Sequence, residues 1–300
     1  MSNKNKTLKN YSPLRYPGGK SKLAPFVKLL IEQTEIEHPI YIEPFAGGAG
    51  IALKLLFSGI VDEIVINDFD KAIYSMWRAI LTETNQFIDL LEKTPVTVSE
   101  WKNQKQIYTK YNKTYSLELG FATFFLNRTN RSGILNAGLI GGFNQKGNYK
   151  IDARFNKTEL IERIKLIASK KSKIHLYNKD VRSFFCSYFR KYEDSAFVYF
   201  DPPYFNKGEM LYKNFFSYDD HMEIRDLIER IHSPWMLTYD NTNEIKQLYN
   251  NHEGFLFDLN YSVANSGKNS ELLYLSNNLF LPVEEMINNK IDLNIRTINE

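Results

Sequence analysis

Five short β-type runs, at residues 40–43, 64–67, 174–177, 197–200 and 235–238, recur along the chain, and helix-length amphipathic stretches such as 22–32 and 221–231 fill most of the intervals. Strands alternating with helices predict an α/β fold on a mainly parallel sheet, because a parallel partner is reached only through a crossover long enough to hold a helix. The C-terminal part breaks that rhythm. Two β-type runs, 254–263 and 271–277, are separated by 264–269 alone, so the sheet is expected to end in an antiparallel hairpin. The interval from 67 to 174 is far longer than the roughly 2–6-residue loops of α/β units and predicts an insertion. Residues 1–70 and 170–300 are therefore read as one α/β domain. Residues 71–169 are read as an inserted, mostly helical domain, with helices at 71–91, 99–112, 116–128 and 157–168 and a long polar loop at 127–152.

Composition limits the function classes. The single cysteine, Cys186, excludes an intramolecular disulfide and a cysteine metal cage. The polar, basic first ten residues lack the apolar core of a signal peptide, and no apolar run nears the roughly 18 residues of a membrane span. The expectation is a cytoplasmic protein with no membrane contact and no obligatory protein partner. Net charge is only +3, yet residues 1–28 carry seven Lys or Arg and no acid, 128–157 carry six against Asp152, and 163–182 carry seven against Asp180. Such clusters suit either a nucleic-acid footprint or solvated basic faces.

The apolar run Phe197-Val198-Tyr199-Phe200 ends in Asp201-Pro202-Pro203-Tyr204. A buried strand that surfaces in an acid marks the carboxyl edge of a parallel sheet, where ligands of open α/β folds collect. The two prolines have no N–H and fixed φ, so this segment enters neither a helix interior nor a sheet ladder. A carboxylate, a carbonyl and an aromatic ring within four residues suit a planar group bearing an NH2, with two acceptors for its hydrogens and a ring for its face.

After the first β-type run the chain reads Glu43-Pro44-Phe45-Ala46-Gly47-Gly48-Ala49-Gly50 and enters an apolar helix. Glycines here serve either a nucleotide-like ligand or a tight turn. Asp68, which closes the second run, is placed either for ribose hydroxyls or as a helix cap. A diphosphate fits poorly, since the spaced G-x-G-x-x-G is missing and Glu43 repels phosphate. S-adenosyl-L-methionine has ribose and no phosphate, and its ammonium suits Glu43 or Asp201. The five histidines (38, 175, 221, 232 and 252) show no ligand spacing, and no metal is expected.

The set Tyr16-Pro17-Gly18-Gly19-Lys20, Glu43-Pro44-Phe45-Ala46-Gly47-Gly48, Asn67-Asp68-Phe69, Asn178-Lys179-Asp180 and Asp201-Pro202-Pro203-Tyr204, in that order, resembles the Dam-like (D12 class, α-group) DNA adenine-N6 methyltransferases. The likeness spans nearly the whole chain. It implies a Rossmann-like AdoMet-dependent methyltransferase sheet whose cofactor meets Tyr16, Lys20, Asp68 and Asp201. It also implies that residues 45–48 pass beneath the cofactor's amino-acid part. Asp180 and Val181 border the adenine ring in that reading; a helix cap is the alternative for Asp180. Asp201 and the Pro202 carbonyl would accept the two hydrogens of an adenine N6, and Tyr204 would stack on a base flipped out of duplex DNA. The segment from Asn127-Arg128-Thr129 to Gly142-Phe143-Asn144 resembles the family's DNA-reading loop. In and beside it, Arg128, Arg131, Asn136, Phe143, Asn144, Tyr149 and Lys150 offer phosphate binders, base-pairing amides and stacking rings. Asn136 stands where the Dam-type loop has a guanine-reading arginine, which argues against GATC as the target.

Overall fold

The computed structural model describes residues 10–15, 20–110, 114–206, 216–258 and 270–298. The chain divides into two compact units, one of Leu23–Ala46, Gly59–Asp70 and Lys173–Glu300, the other of Met1–Lys22, Gly47–Ser58 and Lys71–Ser172.

Among the described residues, the first unit is built on one sheet of eight strands: β1 (Ile40–Glu43), β2 (Glu63–Asn67), β3 (Ile174–Tyr177), β4 (Ala196–Phe200), β5 (Trp235–Asp240), β6 (Gly254–Asp258), β7 (Ser270–Leu275) and β8 (Asn294–Thr297). Their order is β3-β2-β1-β4-β5-β7-β6-β8. The first five are mutually parallel, and β7, β6 and β8 add antiparallel. The expected α/β architecture and its antiparallel end are both present. The connection between β6 and β7, read as 264–269, lies outside the described residues. β8 was not expected: Asn-Ile-Arg-Thr carries too little apolar character to read as a strand, and it forms as an edge against β6.

β4 and β5 are buried at every position, as central strands covered on both faces must be. Register assigns the faces. Val198 pairs with Ile42, and Phe200 with Leu237, so these side chains share one face. There they pack with Val181, Phe184, Ile224, Ile228, Tyr239 and Tyr274 into an apolar core. The helix Tyr218–Ile228 is started by a capping box between Ser217 and Asp220. Tyr41, Glu43, Tyr199, Asp201, Thr238 and Asp240 alternate onto the other face.

The second unit is helical, with Gly50–Phe57, Lys71–Thr82, Thr84–Lys93, Val98–Lys110, Leu117–Thr129 and Lys157–Ser169. Ser116 and Asn156 cap the last two through their side chains. Residues 71–91 read as one helix from the sequence, but the structure breaks it at Glu83, whose φ of −127° is not helical. Thr82 and Thr84 flank the break and bond their hydroxyls back to the carbonyls of Arg78 and Ile80, in competition with the helix ladder. Phe155 meets Phe124 edge-on and Phe125 at a tilt, and so fixes the end of the long loop onto helix Leu117–Thr129.

Candidate active site

Strand order reverses at β1, whose neighbours are β2 on one side and β4 on the other. In open α/β sheets, ligands bind outside the carboxyl ends of the strands at such a switch point. Glu43 ends β1, Asp68 follows β2, Asp180 follows β3 by three residues, and Asp201 follows β4 directly. The sheet brings all four carboxylates to one edge.

Asp201 is held from β5. Register places Thr238 beside it, and the Thr238 hydroxyl donates to Asp201 Oδ1 at 3.0 Å. Behind Thr238, at 2.8 Å, is the Tyr199 hydroxyl. Burial, and then the charge of Asp201, pushes the Tyr199 phenol well above its ordinary range. Tyr199 therefore keeps its proton and donates to Thr238, which frees the threonine hydrogen for Asp201. Two residues further along the same face of β5, Asp240 accepts the backbone N–H of Phe205 at one oxygen and of Asn206 at the other, both at 2.9 Å. Alternate β5 side chains thus bracket the tetrapeptide at its first residue and just past its last. Pro202 is buried, and Asp201 and Tyr204 are half-buried. Among the described residues, no N–H donates to the Pro202 carbonyl.

Acidic side chains line this edge. On the same face, Glu43, Asp240 and Glu271 are only 5%, 6% and 6% exposed, and Glu271 pairs with Asp240 across β5 and β7. After burial, the charges of Asp201, Glu271 and Glu43 all act to raise the Tyr199 phenol. Such a row suits a cationic ligand and disfavours a diphosphate. Among the described residues, no three His, Cys, Asp or Glu stand together as a metal cage.

The loops after β1, β2 and β3 are clasped by a residue that sequence reading used only as part of a motif. Asn67 is buried, donates from Nδ2 to the Pro44 and Lys179 carbonyls at 3.0 Å each, and accepts the Lys179 N–H at 2.9 Å. Asn67 also accepts the Ala46 N–H at its own carbonyl. Asp68 closes a turn onto the Asp70 N–H. Asp180 caps helix Val181–Ser187 and binds Arg182, in agreement with the cap alternative. Val181 lies in the apolar core. The ring of Phe45 meets Phe216 edge-on at 6.1 Å.

In the second unit, Gly47 (φ 46°) and Ala49 (φ 46°) both take left-handed backbone. For alanine this costs about 1–2 kcal/mol, a strain of the kind stored at functional turns. Trp77 Nε1 donates to the Gly47 carbonyl and Ser12 Oγ to that of Gly48, which fixes the turn. Lys20 is buried. Tyr16 lies outside the described residues.

The polar loop is tied by hydrogen bonds at its base and exposed beyond it. Asn130 accepts from Trp101 Nε1 and donates to the Ile134 and Leu135 carbonyls. Gln145 donates to the Ile140 and Gly142 carbonyls and accepts the Ile151 N–H. Arg131, Asn136 and Asn144 are exposed, and the rings of Phe143 and Tyr149 are 60% and 66% exposed. Lys150 binds the Gln145 and Gly147 carbonyls, and half-buried Arg128 donates Nε to the Arg154 carbonyl. Those two cations therefore spend donors within the loop itself.

Thr238, Tyr199 and Asp240 were not singled out from the sequence. The signal for them is positional, because each sits on a strand end beside the tetrapeptide once the strand order is known.

The D12 class N6 adenine-specific DNA methyltransferase signature matches residues 16–262. Type II methyltransferase M1.LlaDCHI of Lactococcus lactis subsp. cremoris is 27% identical over 78% of this chain and 83% of its own length. Type II methyltransferase M.MjaIII of Methanocaldococcus jannaschii is 26% identical over 64% of this chain and 68% of its own. Among solved structures, an rRNA methyltransferase from Streptomyces viridochromogenes aligns over 87% of this chain and 85% of its own at a TM-score of 0.38 and 13% identity. With the family signature running from the residues before β1 to the β6–β7 connection, the chain belongs to the D12 class N6 adenine-specific DNA methyltransferases.

Proposed function

We propose that the protein transfers a methyl group from S-adenosyl-L-methionine to the exocyclic amine of an adenine flipped out of duplex DNA. The observation that carries this reading is the fixed carboxylate of Asp201 at the β1/β4 switch point, oriented by Thr238 and followed by a buried Pro202. The N6 lone pair of adenine is delocalised into the ring, and the site must localise it. Asp201 and the Pro202 carbonyl would accept the two N6 hydrogens and turn the lone pair toward the methyl. As the N–C bond formed, the C–S bond would break with its electron pair passing to sulfur, to leave a neutral thioether. The methylated N6 would then release one hydrogen as a proton to solvent, so Asp201 need not remove a proton before attack. Tyr204 stacks on the base. The cofactor supplies an electrophilic methyl on a sulfonium.

The acidic row fits that cation, and Glu43, Phe45, Ala46, Gly47, Gly48 and Asp68 hold the cofactor with Lys20 and Tyr16. Residues 1–70 with 170–300 serve as the catalytic domain and 71–169 as the target-recognition domain, read out through Arg131, Asn136, Phe143, Asn144 and Tyr149. Incubation with labelled cofactor and duplex DNA, single-stranded DNA or RNA tests the reading. Label only in RNA, or an Asp201→Ala variant that methylates normally, overturns it. Expression in a methylation-free host followed by single-molecule sequencing reads the target, which is expected to differ from GATC at the base facing Asn136.

A further inference from the structure

One buried histidine ties together two loops at the acidic edge, and the reaction described above makes no use of it. His221, in the first turn of helix Tyr218–Ile228, is 1% exposed. Its ring lies 5.3 Å from that of Phe205 and 5.7 Å from that of Phe216. Phe205 follows the tetrapeptide directly and gives its N–H to Asp240, whereas Phe216 meets Phe45 of the loop after β1. A single ring therefore joins the segment that carries Asp201 to a residue of the cofactor loop. The capping box between Ser217 and Asp220 fixes the start of the helix and with it the place of His221.

The hydrogen bonds of that ring fit one charge state. Nδ1 and the Tyr239 hydroxyl are 2.8 Å apart, and Nε2 is buried with no partner among the described residues. Burial pushes the Tyr239 phenol well above its ordinary range, so it keeps its proton. When that hydroxyl donates to Nδ1, a neutral ring leaves one group unmatched, the Nε2–H. The other tautomer leaves two, Nε2 and the hydroxyl hydrogen, so the first is favoured. A protonated ring carries hydrogens on both nitrogens, and the one on Nδ1 then opposes the Tyr239 hydrogen. The charged and titratable groups around His221 are Tyr239 and Asp240 on β5, Asp220 and Glu223 on its own helix, and Arg182, which holds Glu223 from helix Val181–Ser187. Asp240 and Asp220 favour the cation, yet burial outweighs them and lowers the pKa from 6.5.

We propose that neutral His221 is a positioning residue for methyl transfer, which sets the tetrapeptide segment against the cofactor loop through Phe205 and Phe216 and releases both when it is protonated. Its loss is therefore felt by cofactor binding and by transfer together. This inference rests on the methyltransferase reading above.

The test is initial-rate transfer of a labelled methyl group to target duplex from about pH 8 to about pH 5, with cofactor varied at each pH and each enzyme kept well below its melting temperature. Native kcat/KM for the cofactor is expected to fall below pH 6.5, approaching about tenfold per pH unit as one proton is taken up. His221→Phe keeps a ring beside Phe205 and Phe216 and removes both nitrogens, so that fall should vanish. Tyr239→Phe removes the opposed hydrogen, so the fall should begin at a higher pH than in the native chain, a comparison that stands even where His221→Phe fails to fold. His221→Ala should raise the cofactor KM and lower kcat together, and calorimetric binding of S-adenosyl-L-homocysteine should weaken with it. A fall that persists in His221→Phe, a Tyr239→Phe profile that is unshifted or shifted downward, or a His221→Ala enzyme with native cofactor KM overturns the positioning role and leaves the methyltransferase reading intact. A native chain that binds no S-adenosyl-L-homocysteine and transfers no methyl group overturns both.

Discussion

Replacing Thr238 by valine keeps the volume and β-branching of a fully buried residue and removes one hydroxyl, the one that links Tyr199 to Asp201. A hydrogen bond to a charged acceptor contributes about 1.5–3 kcal/mol. If that interaction orients the carboxylate for the reacting nitrogen, its loss falls on the transition state, and at 1.36 kcal/mol per decade kcat drops about 10- to 100-fold. The cofactor KM should stay nearly level, because an interaction realised in the chemical step leaves ground-state binding alone. Stability also falls, since the Tyr199 hydroxyl is left buried without its acceptor at about 1–3 kcal/mol. The assay is initial-rate transfer of a labelled methyl group to target duplex, run well below the melting temperature of each variant. Thr238→Ser restores the hydroxyl and should recover most of the rate. Tyr199→Phe removes only the donor behind Thr238 and should slow transfer much less. A Thr238→Val enzyme with native kcat refutes the orientation argument. So does equal slowing by Val and Ser, which would point to packing in place of the hydroxyl.

Asn67→Ala removes three side-chain bonds that tie the loops after β1, β2 and β3, and about 2–4 kcal/mol of stability should go with them, read by chemical denaturation. Gly133 has φ +77°, and a Cβ there would meet the Arg15 carbonyl oxygen at 2.1 Å, whereas Gly142, at φ +69°, has open space. Gly133→Ala should therefore destabilise by at least about 2 kcal/mol and Gly142→Ala by about 1 kcal/mol, a difference that melting curves resolve. His221 is buried against Tyr239, and burial lowers its pKa from 6.5 despite the opposing charges of Asp240 and Asp220. The unfolded chain thus takes up this proton first, so the His221 contribution is fully present above pH 6.5 and is lost as pH falls below that value toward the folded pKa. Melting temperatures measured from pH 7.5 downward should fall more in the native protein than in His221→Phe.

The parallel order of the sheet and its antiparallel end were legible because apolar runs, crossover lengths and a short C-terminal connection are local signals. So was the tetrapeptide, since a strand surfacing in an acid and two prolines is readable without any partner. The break at Glu83 was hidden because the apolar period continues across it, and the threonine hydroxyls that favour the break act through backbone carbonyls a turn away. β8 was hidden because an edge strand needs few apolar side chains. Arg128 looked like a free phosphate binder in the sequence, yet its place depends on Arg154, which is distant in sequence and joined to it by a single bond.

The same distinction explains why the partners of Asp201 escaped notice. A threonine two residues before an aspartate on a buried strand has no signature of its own, and read alone the run Trp-Met-Leu-Thr-Tyr-Asp is an apolar strand with a polar end. Strand order gives it meaning: β5 lies next to β4, and the observed register sets Thr238 beside Asp201 and leaves Asp240 two residues further out on the same face. The proline pair makes that support necessary. Pro202 and Pro203 supply no N–H to any ladder, so the loop that carries Asp201 cannot be tied to the sheet through its own backbone at those positions. Its orientation has to come from side chains of the neighbouring strand, which is where Thr238 and Asp240 stand.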